Sequence, residues 1–124
     1  MSSRPLYQPT PVITNGAMVG NLTSAITILS NLSMMSYSYT WSGTSPVGTI
    51  VVEVSNDYTQ DSSGATANPG TWDALPLSVA PSVSGNTGTG FVDIDQLGAY
   101  AIRTRYIATS GTGTLNAIFK GKVS

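Results

Sequence analysis

Hydrophobic and polar residues alternate along most of the chain that follows residue 23. The clearest stretch is 33–41, in which Met35, Tyr37, Tyr39 and Trp41 share one face while small polar residues occupy most of the other. A period of two with aromatic side chains on a single face is typical of a half-buried β-strand. The pattern therefore predicts a strand over 33–41 with its aromatic face toward a core.

A second strand is predicted at 49–55, where Ile50, Val52 and Val54 share one face. The intervening segment 42–48 contains two Gly residues and Pro46, which are typical of turns. The sequence therefore predicts that 33–41 and 49–55 form an antiparallel hairpin.

The C-terminal part of the chain repeats this arrangement. Segments 100–108 and 114–120 both alternate, and the short segment 110–113 (SGTG) between them is typical of a tight turn. We therefore predict a second hairpin here. Shorter strands are predicted at 23–30, 71–77 and 91–94.

No segment predicts a helix, because Thr, Ser, Gly and Val dominate and runs of good helix formers are short. Seven or eight strands separated by turn signals every 8–12 residues or so are typical of a sandwich or barrel. We therefore predict an all-β fold, a single-domain antiparallel β-sandwich of jelly-roll or Greek-key type, over residues 24–124.

Residues 1–23 differ from the rest and predict an extended N-terminal arm. Pro5, Pro9 and Pro11 fix the backbone and remove hydrogen-bond donors, which excludes a helix or a central strand. The arm has three possible states: packed on its own domain, packed on a neighbouring subunit, or disordered. Its candidate interface residues are Arg4, Leu6, Tyr7, Val12 and Ile13.

A fifteen-residue segment without periodicity, 56–70, predicts a long loop, and loops of that length are often functional or disordered. Asp57 and Asp61 within it carry oxygens that suit calcium, but the spacing lacks the pattern of a known calcium loop. Aspartate also stabilises turns by bonding its own backbone. We favour that interpretation and predict no metal and no cofactor.

Composition excludes most catalytic chemistry. The chain has 124 residues, the length of one domain, with no Cys and no His. These absences exclude a Cys nucleophile, a thiolate zinc site and a Ser-His-Asp triad. Glu53 and an Asp would supply the two carboxylates of a glycosidase, but isolated surface charges are the simpler interpretation. We predict that the protein is not an enzyme.

Charge and hydropathy exclude two further classes of partner. Charged residues make up 9% of the chain, with a net charge of −1, which excludes a basic nucleic-acid-binding protein. The first residues lack the apolar run of a signal peptide, and no stretch reaches the roughly 20 apolar residues that span a membrane. We expect neither nucleic acid nor membrane as a partner.

Two arginines, Arg103 and Arg105, lie two residues apart on a predicted strand and therefore share a face. One interpretation is recognition of a partner's carboxylate, and the other is a solvated face paired with a nearby acid. Lys120 and Lys122 show the same spacing, and a neighbouring strand would place them on the same side. Such a small positive patch suits docking onto an acidic protein surface.

Aromatic residues raise the alternative of a sugar-binding platform, in which rings stack on pyranose faces. Most of them, however, have the strand spacing of core residues. Tyr58 lies in the predicted loop with no visible packing partner, and we therefore include it among the candidate interface residues.

Several stretches together resemble small virion structural proteins of tailed bacteriophages. In those proteins a strand ending in V-x-S-x-D leads to a loop, a W-x-x-L strand, an acidic turn and a long hairpin that ends in G-T-G-T-L. The matching stretches are 52–58 (VEVSNDY), 70–75 (GTWDAL), 93–103 (DIDQLGAYAIR), Tyr106, 110–115 (SGTGTL) and 120–122 (KGK). The resemblance covers roughly residues 33–122 and implies a β-sandwich that decorates, cements or staples a capsid.

The predicted function is therefore a non-enzymatic capsid decoration protein that binds between major capsid protein subunits as a homo-oligomer. It would be made in the host cytoplasm and end on the capsid surface. Two alternatives remain: a neck or tail component of the virion, and a carbohydrate-binding module for host attachment.

Overall fold

The computed structural model describes residues 9–29, 34–77, 81–95 and 99–122. The regular secondary structure within these ranges consists entirely of antiparallel β-strands. The all-β class is confirmed, whereas the jelly-roll or Greek-key type stays a prediction. The described ranges contain no helix of the length and hydropathy that crossing a membrane requires. The strands are β1 (Thr10–Ala17), β2 (Leu22–Thr23), β3 (Thr27–Ile28), β4 (Met34–Ser55), β5 (Thr59–Gln60), β6 (Thr66–Asn68), β7 (Asp73–Ala74), β8 (Ser82–Val83), β9 (Thr87–Asp95) and β10 (Ala101–Lys122).

Two strands of 22 residues each, β4 and β10, form a long antiparallel ribbon. They pair along their whole length, from Ser55 opposite Ala101 to Met34 opposite Lys122. At about 3.3 Å per residue a straight ribbon of this length would be roughly 70 Å long, and two strands alone enclose no core. The ribbon must therefore bend.

A buried hydrogen bond shows that the ribbon folds back on itself. The hydroxyl of Tyr39 lies 2.6 Å from Oγ1 of Thr104. In the register of the ribbon, however, Tyr39 lies opposite Ala117 and Thr104 lies opposite Val52. Tyr39 and Thr104 are therefore thirteen residue positions apart along the ribbon. Their side chains can meet only if the two ends of the ribbon lie face to face.

The folded ribbon gives two packed layers. The first layer contains 34–42 of β4 and 114–122 of β10, flanked by β9 and β1. The second layer contains 48–55 of β4 and 101–108 of β10; β7 and β8 pair with its β4 side, and β2 and β3 pair with its β10 side. Both layers are parts of one continuous sheet because β4 and β10 run through each.

The two layers are joined at a corner, which we define as 43–47 with 109–113. Gly43 and Gly113 lie opposite each other there, and a Cβ added to Gly43 would lie 2.3 Å from the Cα of Gly113. Ser45 and Gly111 have positive φ values of 47° and 84°, and the register shifts twice between Ala108 and Thr112. Bulges of this kind bend strands sharply without ending them.

Both predicted hairpins are therefore wrong. Within the described ranges, 34–41 and 49–55 do not pair with each other but lie in the single strand β4, and 101–108 and 114–120 lie in β10. The Gly, Ser and Pro residues of the two connecting segments supply the corner rather than two chain reversals. A bulge and a tight turn require the same backbone freedom, so the local pattern does not distinguish them.

The aromatic face predicted for 33–41 is confirmed as part of the core. Met35, Tyr37, Tyr39 and Trp41 are each at most 7% exposed. Both layers contribute to one hydrophobic cluster, so the core lies between them. The other core residues are Val12, Ile13, Met18, Leu29, Ile50, Val52, Val83, Val92, Ile94, Ile102, Tyr106, Leu115, Ala117 and Phe119.

The segment predicted as an arm contributes to the same sheet from residue 10 onward. Strand β1 is an edge strand on β10, as the prolines require, and β2 pairs with β10 in the second layer. Val12 and Ile13 are buried, at 9% and 8% exposure. Of the three states considered for the arm, its described part therefore packs on its own domain.

We expect Gly43→Ala to destabilise the fold by about 2 kcal/mol or more, because the new methyl would overlap the backbone of the opposite strand at the corner. Gly20→Ala is the matched control, since a Cβ at that position meets nothing within 4 Å. Urea unfolding followed by circular dichroism measures both variants. Equal stability of the two variants would contradict the role assigned to the corner.

Thr104→Val should cost more stability than Tyr39→Phe. The hydroxyl of Thr104 donates to the carbonyl of Val51, so the Tyr39 hydroxyl donates to Thr104. Removing the tyrosine hydroxyl loses one bond, worth about 1 kcal/mol, whereas valine leaves a buried tyrosine donor without its acceptor, which costs about 1–3 kcal/mol. The reverse order in urea unfolding would refute this donor assignment.

Candidate protein-interaction surface

Arg103 and Arg105 project from the outer face of the second layer, and both contact Glu53. The register places Arg103 directly opposite Glu53, with 2.7 Å between its Nε and Oε1 of the carboxylate. Nη1 of Arg105 lies 3.6 Å from the other carboxylate oxygen. The predicted shared face is confirmed, and so is its pairing with a nearby acid. Two guanidinium groups share one carboxylate, so this group of three carries a net charge of +1.

Trp72, at the end of the loop that follows β4, contacts the group formed by Glu53, Arg103 and Arg105. The guanidinium carbon of Arg103 lies 4.2 Å from the ring centroid of Trp72, a cation–π distance. The indole is fixed in turn, because its Nε1 donates to the carbonyl of Pro69 at 2.8 Å and its ring packs on Tyr58 with centroids 5.8 Å apart. Arg103 is therefore held by an acid from the sheet and by an aromatic ring from the loop.

Asp57 fastens the loop that carries Trp72. Its Oδ1 accepts hydrogen bonds from the Ser55 hydroxyl at 2.8 Å and from the backbone N–H of Thr71 at 2.7 Å. These donors, the Thr71 amide first, hold the pKa of the Asp57 carboxyl below its ordinary value. Because Thr71 precedes Trp72, the carboxylate fixes the point at which the loop returns to the sheet.

Asp61 stabilises the tip of the same loop. Its Oδ1 accepts from the hydroxyl and backbone N–H of Ser63 and from the N–H of Ala65. The same bonds, that of the Ser63 hydroxyl first, lower the pKa of the Asp61 carboxyl. The turn-stabilising interpretation of both aspartates is confirmed. The segment predicted as an unpatterned loop also contains the short hairpin of β5 and β6.

The other candidate interface residues that the structure describes lie away from this group. Tyr58 is 3% exposed, and its hydroxyl lies 3.2 Å from Oγ1 of Thr66, so the expectation of a loop residue without a packing partner is wrong. Val12 and Ile13 are part of the chain's own core rather than of its exposed surface. Arg4, Leu6 and Tyr7 lie outside the described residues.

The predicted cluster of four cations is also wrong. Arg103 and Arg105 lie near the start of β10, whereas Lys120 and Lys122 lie at its end. The expectation assumed two neighbouring strands joined by a turn. Because β10 is continuous, the two pairs instead lie in different layers.

The arrangement on the second layer suits recognition of a carboxylate. Nε of Arg103 is occupied by Glu53 and Nε of Arg105 by Oγ1 of Thr23 at 3.2 Å. Within the described ranges their Nη groups form only the 3.6 Å ion pair of Arg105 with Glu53 and donate no hydrogen bond, and the two side chains are 22% and 29% exposed. Guanidinium groups with free N–H donors bind planar anions such as carboxylates. We refer to Glu53, Trp72, Arg103 and Arg105 as the arginine site.

The two arginines were predictable from the sequence, whereas Trp72 was not predicted as their support. The pairing with Glu53 follows from strand register, whereas the position of Trp72 depends on a loop closed by Asp57 through a contact fourteen residues away. The loop aromatic that the sequence singled out, Tyr58, instead packs beneath Trp72.

Comparison with known proteins finds similarity to solved structures. No protein-family model matches the chain, and no curated protein matches its sequence. Among solved structures, the chain is similar to the crystal structure of the SPBc2 prophage-derived protein YomS, at 12% sequence identity and a TM-score of 0.49. The likeness covers 96% of this chain and 98% of the other.

Asp57→Asn should lower the melting temperature at neutral pH, because the charge that strengthens its hydrogen bonds is lost. A lowered folded-state pKa contributes stability above the ordinary value of 3.8, and this stability disappears as the pH falls through the folded-state value. The difference between the variant and the natural chain should therefore vanish in strong acid.

Asp73→Asn is the control for this measurement, since the exposed Asp73 carboxylate accepts no hydrogen bond from the part of the chain that the structure describes. Thermal unfolding followed by circular dichroism across the acid range compares the three proteins. A difference that persists unchanged into strong acid would disprove the role given to the Asp57 charge.

Proposed function

We propose that this chain is a non-enzymatic structural protein of a tailed-phage virion. More narrowly, it acts as a decoration protein that binds between subunits of the major capsid protein. It is made in the host cytoplasm and joins the outer surface of the capsid. The arginine site is its contact with an acidic group of the shell.

One observation supports this proposal above the others. Three of the stretches that resemble virion structural proteins, 52–58, 70–75 and 93–103, meet at the arginine site. Asp57 from the first bonds the Thr71 amide of the second, and Arg103 from the third lies on Trp72. Residues scattered over nearly half the chain therefore build a single, partly exposed group.

The chemistry of the site suits docking rather than reaction. Arg103 is oriented by Glu53 and Trp72 before any partner binds, so less side-chain freedom is lost on association. The excess positive charge attracts a carboxylate, and the planar guanidinium groups select its geometry. An ordered, partly exposed arginine pair is a suitable anchor for a protein interface.

Stabilisation of the shell would be additive. Each copy buries a modest area across a seam between capsid subunits, and repetition over the shell multiplies that contribution. Because the net charge is −1, neighbouring copies repel each other weakly and can occupy adjacent sites.

The interaction is tested by the occupancy of Arg105→Gln on particles. Loss of a charge-assisted contact should weaken binding about tenfold or more, and the difference should shrink as salt is added. Arg105 is preferred to Arg103 because its replacement leaves the shorter Arg103–Glu53 pair intact. Binding of purified chain to particles that lack it gives the occupancy.

Ser84→Asp makes the same change in net charge in the exposed turn before β9 and should bind as the natural chain does. Equal occupancy of Arg105→Gln and the natural chain would overturn the docking role of the arginine site.

The number of copies of this chain in purified particles tests where in the virion the protein lies. A number comparable with that of the major capsid protein supports decoration of the shell, whereas about six or twelve copies indicate the alternative, a neck or tail component. Absence of the chain from the particle overturns the virion assignment. Glycan binding that is lost in Trp72→Ala would favour the host-attachment alternative instead.

A further inference from the structure

The outer face of the first layer carries two exposed apolar side chains on a surface of small polar ones. Phe91 of β9 is 62% exposed and Ile118 of β10 is 40% exposed. Both lie opposite Ser38 of β4, one on each side, so the three form a row across the layer. Two exposed apolar side chains in one row of a sheet face make that face a candidate surface for a partner.

The next row on the same face carries opposite charges. Asp93 of β9 and Lys120 of β10 both lie opposite Ser36 of β4. One intervening strand separates them by about 9–10 Å across the sheet, and no ion pair joins them within the described ranges. Ser36 lines a depression over β4 that is bordered by Phe91, Asp93 and Lys120.

The face that carries these two rows is complementary to the same face of a second copy when the two copies are related by a two-fold rotation. An axis parallel to β4 and lying above it exchanges the β9 side of the face with the β10 side. A second copy placed by this rotation has its Lys120 over Asp93 and its Ile118 over Phe91. A two-fold axis perpendicular to the strands between the rows would instead place charged residues over apolar ones.

We propose that this face binds a second copy of the chain in an isologous, face-to-face dimer with its two-fold axis along β4. Each dimer then contains two Asp93–Lys120 ion pairs and two Phe91–Ile118 contacts. The apolar pairs supply burial and the ion pairs fix the register. The serines of β4 lie at the axis, where small side chains allow close approach of the two sheets.

This surface is independent of the arginine site. The dimer face belongs to the first layer and the arginine site to the second, so the outer faces point away from each other. Self-association and particle binding can therefore fail separately, and each has its own variants.

The test uses the purified full chain in analytical ultracentrifugation. The natural chain should show a concentration-dependent monomer–dimer equilibrium. Asp93→Lys and Lys120→Asp each place like charges over each other and should weaken the dimer about tenfold or more. Phe91→Ser should do the same by removing the apolar contact.

Mixing the two charge variants provides the decisive measurement. In a heterodimer of Asp93→Lys with Lys120→Asp, the two lysines of one chain lie over the two aspartates of the other. The mixture should therefore associate although each variant alone does not. A destabilised fold would not be repaired by mixing, so this outcome separates an interface effect from misfolding.

Asp73→Lys, in the second layer, makes the same charge change as Asp93→Lys and should leave the dimer unaffected. Three outcomes overturn the proposal: a natural chain that is monomeric up to millimolar concentration, charge variants that associate normally, or a mixture that stays monomeric.

Discussion

The pairing of β4 with β10 is the constraint on which the rest of this structure depends. A ribbon of 22 residue pairs cannot form a core while straight, so its bend creates both layers and the space between them. Every other strand of the main sheet is added to an edge of this ribbon. Because the partners are far apart in sequence, the fold is dominated by non-local contacts, which is typical of slowly folding β-proteins.

Two local features make the bend possible and keep it in place. At the corner, Gly43 and Gly113 allow the strands to approach more closely than any side chain would permit. Inside, the Tyr39 hydroxyl meets Thr104 across the two layers. Burial holds the pKa of the Tyr39 phenol well above its ordinary value, so the group stays neutral and remains a donor over the physiological range.

Sequence patterns predicted which face of a strand is buried better than they predicted which strands pair with each other. The buried face that begins at Met35 follows directly from the alternation of apolar and polar residues, because the residues that share a face are set within the strand itself. The hairpins failed because 42–48 and 109–113 carry residues that suit a reversal and a bulge equally well. In the arginine site, the shared face of Arg103 and Arg105 was predictable, whereas the position of Trp72 depends on a loop that closes through Asp57. The error over Lys120 followed from the false hairpin.

In so charge-poor a chain, most of the charged side chains that the structure describes serve one of two uses. Asp57 and Asp61 are engaged by local hydrogen bonds and shape a loop. The charged side chains on the two outer faces stand among small polar or apolar neighbours, where a single charge determines which partner fits. Low overall charge therefore does not make the surface featureless. It gives the few charged groups on each face a large influence on orientation. Because the two faces point in opposite directions, the two contacts proposed above, one with the shell and one with a second copy, would not compete for the same surface.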